Sequence, residues 1–259
     1  MKIVVVGSGA VAMNLAYGLA TTTRFTVEVA ARNPIKAQDI IDSLNIKAKA
    51  VAINKCDKDA DLYIVAVTDR AIDEVYQELK QRVSANAPIV HTSGSTSIDI
   101  FGDNASHVGV FYPLQTFSRN RIIELNDVPF YLETDDEHLK RVLIEVVEAL
   151  GADWDWLESE KRKALHVAAV FACNFTNYML SCANDILAHE GMNISILRPL
   201  VEETIDKALE SENPISVQSG PARRNDTRTM FIHEQYLKGH PALKELYTDI
   251  SHKISKKFE

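Results

Sequence analysis

The stretch KIVVVGSGAVAMNLAYGLA, residues 2–20, decides the reading of the first half of the chain. Ile3 to Val6 is a short β-branched run, which favours an extended strand. Gly7-Ser8-Gly9 interrupts it, and the residues from Ala10 onward return to helical spacing of apolar side chains. Strand, glycine turn and helix follow within twenty residues. Gly7-Ser8-Gly9-Ala10-Val11-Ala12 fits the G-x-G-x-x-A pattern at the junction where a dinucleotide's pyrophosphate would meet a helix N-terminus. In that reading Gly7 makes the turn and Gly9 admits the phosphate, with backbone at Ser8, Ala10 and Val11 around it. Ala12 lets helix and strand pack closely. The competing reading is a glycine turn that serves packing alone.

Working outward, strands are expected at Thr26–Ala30, near Ala50–Ile53, and at Asp61–Val67, Pro88–Thr92, Val108–Tyr112, Pro129–Leu132 and Ala152–Leu157. Helices are expected at Ile35–Leu44, Ala71–Arg82 and Asp136–Leu150. Short apolar strands alternating with helices predict an α/β fold with a mostly parallel sheet covered on both faces. From Ser159 the strand signals cease, and helices are expected at Glu160–Glu190, Ser195–Glu210, Asp226–Lys238 and Ala242–Lys256. The change places a boundary near 157: a dinucleotide-binding domain over 1–157 and a second, all-helical domain over 158–259 for substrate and dimerisation.

The 259 residues are 46% apolar, enough for a substantial core, and the net charge of −8 disfavours general binding of nucleic acid. The opening apolar run is far below the roughly 18 residues needed to span a bilayer and is too short for a signal peptide. Cys56, Cys173 and Cys182 form no CxxC pair. The last two, on one expected helix, lie about 13 Å apart by helical rise. A reduced, cytoplasmic setting is the expectation. No metal-ligand spacing such as HExxH occurs, and GxSxG is absent.

An NAD-binding chain places an acidic residue at the end of its second strand for the adenosine ribose. This chain has Ala30-Ala31-Arg32-Asn33 there, and Glu28 lies inside the strand. Arg32 offers a cationic fork for a 2′-phosphate and Asn33 a further hydrogen bond, so NADP(H) is favoured over NAD(H). The alternative for Arg32 is a solvated residue after a strand. Backbone at Val67 and Thr68 is expected to line the cofactor, while Thr68 and Asp69 are read as caps of the next helix.

The segment LHVAAVFACNFTNYML, residues 165–180, reads as a buried helix that carries polar groups. With His166 at zero and 100° per residue, Asn177 falls at about 20° and Asn174 at about 80°, with Lys163 at about 60°. One polar stripe results, with Phe171, Phe175 and Met179 on the remaining, protein-covered circumference. His166 is the candidate proton donor, since imidazole ordinarily titrates near neutrality, and Asn174 and Asn177 would orient substrate. The alternative is that these groups satisfy one another. Ser93, Gly94 and Ser95, after the fifth strand, are candidates to hold a substrate carboxylate or to form a capped serine turn. His91 is read as packed. Gln115 and Arg223 are further substrate candidates, each with a structural alternative.

The segments GSGAVAMNLA, HTSGSTS (91–97), GVFYPLQTFS (109–118), KALHVAAVFACNFTNYML and SGPARRND (219–226) together resemble bacterial proteins with a Rossmann-like NADP-binding domain and a C-terminal helical domain of unknown function. The resemblance covers nearly the whole chain. It implies kinship with pyrroline-5-carboxylate reductase and with 6-phosphogluconate and β-hydroxyacid dehydrogenases. It therefore also implies an NADP-dependent oxidoreductase and a homodimer formed through the helical domain. β-Hydroxyacid dehydrogenases carry a Lys and an Asn one turn apart on the long helix; Lys163, His166, Asn174 and Asn177 have other spacings. Two functions stand at this point: hydride transfer on a small, anionic carbonyl, imine or hydroxy compound, or a non-catalytic NADP(H)-binding regulator.

Overall fold

The computed structural model describes residues 1–103, 105–118 and 121–259. Its strands are β1 (Lys2–Val6), β2 (Thr26–Ala31), β3 (Ala48–Ala52), β4 (Leu62–Val65), β5 (Ile89–His91), β6 (Val108–Pro113), β7 (Phe130–Glu133) and β8 (Trp154–Trp156). They form one sheet in the order β3-β2-β1-β4-β5-β6-β7-β8. The pairs from β3 to β6 are parallel, β7 is antiparallel to β6, and β8 is parallel to β7. The fold is α/β and mostly parallel, as the alternation of strand and helix signals predicts.

Alternation along β1 builds two cores. Ile3 and Val5 pack with Leu15, Leu19, Phe111, Phe130 and Leu143 on one face. Val4 and Val6 pack with Tyr63, Val75, Leu79 and Phe101 on the other. Burial on both faces explains why the central strands are apolar throughout. The covering helices are α1 (Ala10–Thr21), α2 (Pro34–Ser43), α3 (Ile72–Arg82) and α4 (Glu137–Ala149). Helix α4 starts at Asp136, whose carboxylate accepts from Leu139 N at 2.6 Å. That hydrogen bond, ahead of the His107 charge, holds the Asp136 carboxyl below its ordinary range.

Because β7 reverses direction, the chain leaves β8 away from the carboxyl ends of the parallel strands. Helix α5 (Ser159–Ala169) follows, then a π-helical segment, Val170–Phe175, and α6 (Thr176–His189). The remaining helices are α7 (Arg198–Glu210), α8 (Thr227–Tyr236) and α9 (Pro241–Ser255). The chain divides into compact units Met1–Cys173 and Asn174–Glu259. This division lies beyond the compositional change at 157, because α5 is tied to the sheet unit by Arg162 and His166.

Two expectations for the long helix are corrected. Phe171 and Phe175 are exposed and Met179 is only half-buried, so a single chain does not surround this segment. The π-helical segment also breaks the assumed phase. The constant 100° per residue on which the stripe is drawn does not run through Val170–Phe175.

The second unit has an unusual balance of surface and interior. Its buried residues are Cys182, Ala222 and Leu237 alone. Tyr178, Ile196, Leu200, Leu209, Phe231 and Ile232 are all exposed, Leu209 to 80%. Cys56 and Cys182 are buried free thiols and Cys173 an exposed one. No helix is long and apolar enough to cross a membrane, among the described residues.

Candidate active site

The carboxyl ends of β1, β4, β5 and β6 share one edge of the sheet, and strand order reverses between β1 and β4. Ligands of open α/β sheets bind in the crevice at such a switch point. Gly7 sits there with φ +135°, and a Cβ on it would lie 2.2 Å from Ala66 O. Only glycine fits. At Gly9 a Cβ would meet nothing within 4 Å, so its backbone is open to an approaching group. Gly9 is also the N-cap of α1 and makes no side-chain cap, which leaves the first N–H groups of the helix for a phosphate. A cavity of about 380 Å³ borders this turn, lined among others by Ser8, Gly9, Ala10, Lys36 and Ser118. The turn fits a dinucleotide's pyrophosphate.

Arg32 is exposed just past β2, where a 2′-phosphate would be recognised. Asn33 is partly committed elsewhere: its Oδ1 accepts from Lys36 N at 3.0 Å and caps α2. Lys36 was not singled out from sequence, although it follows Arg32 by four residues and lines the cavity. Val67 is half-buried and Thr68 exposed at the end of β4. Neither Thr68 nor Asp69 caps a helix with its side chain. Asp69 instead accepts a 2.5 Å hydrogen bond from Ser95 Oγ.

On the same edge His166 and Tyr112 meet, with Nδ1 and Oη 3.0 Å apart and the rings edge-on. Tyr112 comes from β6 and His166 from α5. Burial, partly opposed by the Arg162 cation, pushes the Tyr112 hydroxyl up to about 12, so it remains protonated at neutral pH. Gly94 backs this pair: a Cβ there would be 2.6 Å from His166 Nδ1 and 2.7 Å from Tyr112 Cζ.

The serine loop is folded on itself. Ser93 Oγ accepts from Ser95 N at 3.2 Å and Thr96 N at 3.0 Å, and donates to Thr96 Oγ1. Ser93 N donates to His91 Nδ1 at 3.1 Å. The hydroxyls of Ser93 and Ser95 are thus engaged, and Gly94 serves through its missing side chain. His91 is fully buried, and desolvation, more than the Arg162 charge, drives it down to about 4.

Arg162 holds this assembly and escaped the sequence reading. It is completely buried and donates to Ser93 O (3.3 Å), Thr96 O (2.6 Å), Ser159 Oγ (3.2 Å) and the Glu133 carboxylate. Glu133, at the end of β7, also accepts from Ser159 N at 2.9 Å and so caps α5. Ser159, Arg162 and His166 fall at i, i+3 and i+7, one face of the helix. That spacing was visible in the sequence, but the carbonyls they serve were not. Buried Asn14 is another omission: it donates to Ala10 O and accepts from Ile123 N, both at 2.9 Å, anchoring the β6–β7 connection on α1.

Other candidates lie elsewhere. Gln115 Oε1 accepts from the adjacent Thr116, through both N and Oγ1. Lys163 pairs with Glu160 on the surface. Asn174 and Asn177 are exposed residues of the second unit. Arg223, in that unit too, donates to Gln218 O and stacks 5.2 Å from the Phe258 ring centroid.

An uncapped helix behind a glycine turn, at the switch point of a parallel sheet, defines the class of Rossmann-type dinucleotide-binding proteins. Residues 2–93 match the family described as NADP oxidoreductase coenzyme F420-dependent, and residues 128–254 match a domain of unknown function, DUF2520. A Bacteroides fragilis protein described as a candidate NADP oxidoreductase is 33% identical over 98% of both chains, with a TM-score of 0.90. The chain belongs to this NADP oxidoreductase family with a DUF2520 C-terminal domain. Two more distant structures share the fold. An imine reductase from Myxococcus stipitatus in complex with NADP+ has a TM-score of 0.66 at 14% identity, over 99% of this chain and 92% of that one. A pyrroline carboxylate reductase from Plasmodium falciparum with NADP bound has a TM-score of 0.61 at 10% identity, over 98% of both. No curated protein matches the chain.

Proposed function

We propose that the protein is an NADP(H)-dependent reductase or dehydrogenase acting on a small carbonyl, imine or hydroxy compound. The observation that carries this reading is the His166–Tyr112 pair, held over Gly94 on the sheet edge that also bears the glycine turn. A bound nicotinamide would supply or accept the hydride. Helix α1 and Gly9 would hold the pyrophosphate, and Arg32 with Lys36 would favour the 2′-phosphate of NADP(H).

His166 moves the proton. In the imidazolium, Nδ1–H donates to Tyr112 Oη and Nε2–H is presented to the substrate oxygen or nitrogen; once Nε2 has given its proton, the neutral ring keeps Nδ1–H, which goes on donating to Tyr112 Oη. The 3.0 Å pair therefore serves both protonation states. Free thiols agree with a reducing cytoplasm. A second copy of the chain covers the exposed apolar side chains of the helical unit, making a homodimer.

Calorimetric titration with NADPH and NADH tests the cofactor. Preference for NADPH that Arg32→Ala weakens by roughly 10- to 100-fold is expected. NADPH oxidation is then followed against cyclic imines and 2-oxo acids. His166→Ala should lower turnover by roughly 10²- to 10⁴-fold while nucleotide affinity stays unchanged. Binding of neither nucleotide would overturn the reading.

A further inference from the structure

We propose that Arg162 is the positioning residue of the His166 site, acting through the Ser93–Thr96 loop. The inference rests on the reading of His166 as proton donor. A guanidinium offers five N–H donors in one rigid plane, and here they span three separate elements. Nε and Nη2 take the carbonyls of Ser93 and Thr96, which bracket Gly94 and Ser95. Nη1 takes Glu133 at the end of β7, and Nη2 also reaches Ser159 on α5.

The consequence for His166 follows from contact. Its ring rests where a Gly94 Cβ would stand, so the height of the loop sets the place of the ring. Arg162 fixes that height one helical turn before His166 on the same helix. Ser159, a turn earlier, accepts from Ile98 N at 3.0 Å and pins the far end of the loop to α5. Loop and helix are thus registered at three successive points, of which His166 is the last. The Arg162 charge also acts on both neighbours, drawing Tyr112 and His91 downward. A lysine keeps that charge but presents it as a point, without the fork that takes two carbonyls and a carboxylate together.

The test uses the full chain labelled with ¹⁵N-histidine, with the His166 ring resonances assigned by their loss in His166→Gln. The wild type should show the neutral ring held in a single tautomer, with Nδ1 hydrogen-bonded to Tyr112. In Arg162→Lys both ring resonances should move toward those of a freely exchanging imidazole, and in Ser159→Ala they should move less, in the same direction. Where turnover is measurable, Arg162→Lys should lose about 100-fold in kcat, the scale of a small misplacement of a reacting group, with NADPH affinity unchanged. A lowered melting temperature with unmoved His166 resonances overturns the proposal and leaves Arg162 a purely structural residue. Should Arg162→Lys fail to fold, Ser159→Ala decides alone, and unmoved resonances there overturn it. The spectra need no substrate, so absence of NADPH binding or turnover would sink the reductase reading separately from this one.

Discussion

Gly94 and Gly7 are required for different physical reasons, and substitution separates them. At Gly7 the obstacle is backbone, Ala66 O, together with a positive φ, so any side chain disrupts the turn itself. At Gly94 the obstacles are the rings of His166 and Tyr112. Gly94→Ala should therefore lower turnover by about 10²-fold through displacement of His166, with NADPH affinity kept. A fully active Gly94→Ala enzyme, assayed by NADPH oxidation, would exclude His166 from proton transfer. Ser93 makes the complementary point. Its hydroxyl organises the turn rather than facing a ligand, the usual local competition of serine for nearby backbone N–H groups.

At the scale of elements, β5 carries a pH dependence. His91, with its Nε2 buried without a well-formed hydrogen bond, is held near 4 against an ordinary value of 6.5. Between those values the unfolded chain binds a proton that the folded chain refuses, so stability is full above pH 6.5 and declines as pH falls toward 4. The loss is on the order of 3 kcal/mol, read as a falling denaturant midpoint. His91→Gln should flatten this limb; an unchanged slope would show that His91 is not its source. Strands such as Ile3–Val6 and Leu62–Val65 were legible because burial on both faces demands unbroken apolar residues. The glycine turn was legible because both its backbone needs are met only by particular residues. The π-helical segment was not, since VFACNF has no residue that forces an extra turn, and a constant 100° per residue does not describe it. Arg162 was hidden between Lys161 and Lys163 in a run that reads as solvated charge. Two of its four partners are backbone carbonyls, which carry no signature in side-chain sequence.

For the molecule as a whole, the helical unit poses an energetic problem. Leu200, Leu209 and Phe231 are 65%, 80% and 61% exposed, while the unit buries only Cys182, Ala222 and Leu237. Each large apolar side chain left in water forgoes about 1.5–3 kcal/mol. Contiguous exposed apolar surface marks sites of association. A second copy is the partner always present in equal amount, and light scattering should return twice the chain mass of 28.9 kDa. Leu200→Asp with Phe231→Asp should give monomers or unfolded chain. A wild type that scatters as a monomer would remove the dimer from the proposal.

The reversal at β7 sends the chain to the start of α5 beside Glu133, and from there the helix must travel back to Tyr112 in a set number of residues. Ser159-x2-Arg162-x3-His166 is therefore a ruler as well as a contact face. Side chains between its marks are free to vary, but its length is not: one residue added or removed before His166 swings the imidazole about a quarter turn from Tyr112. Homologous chains that use this site should differ within the interval by substitution and never by insertion or deletion.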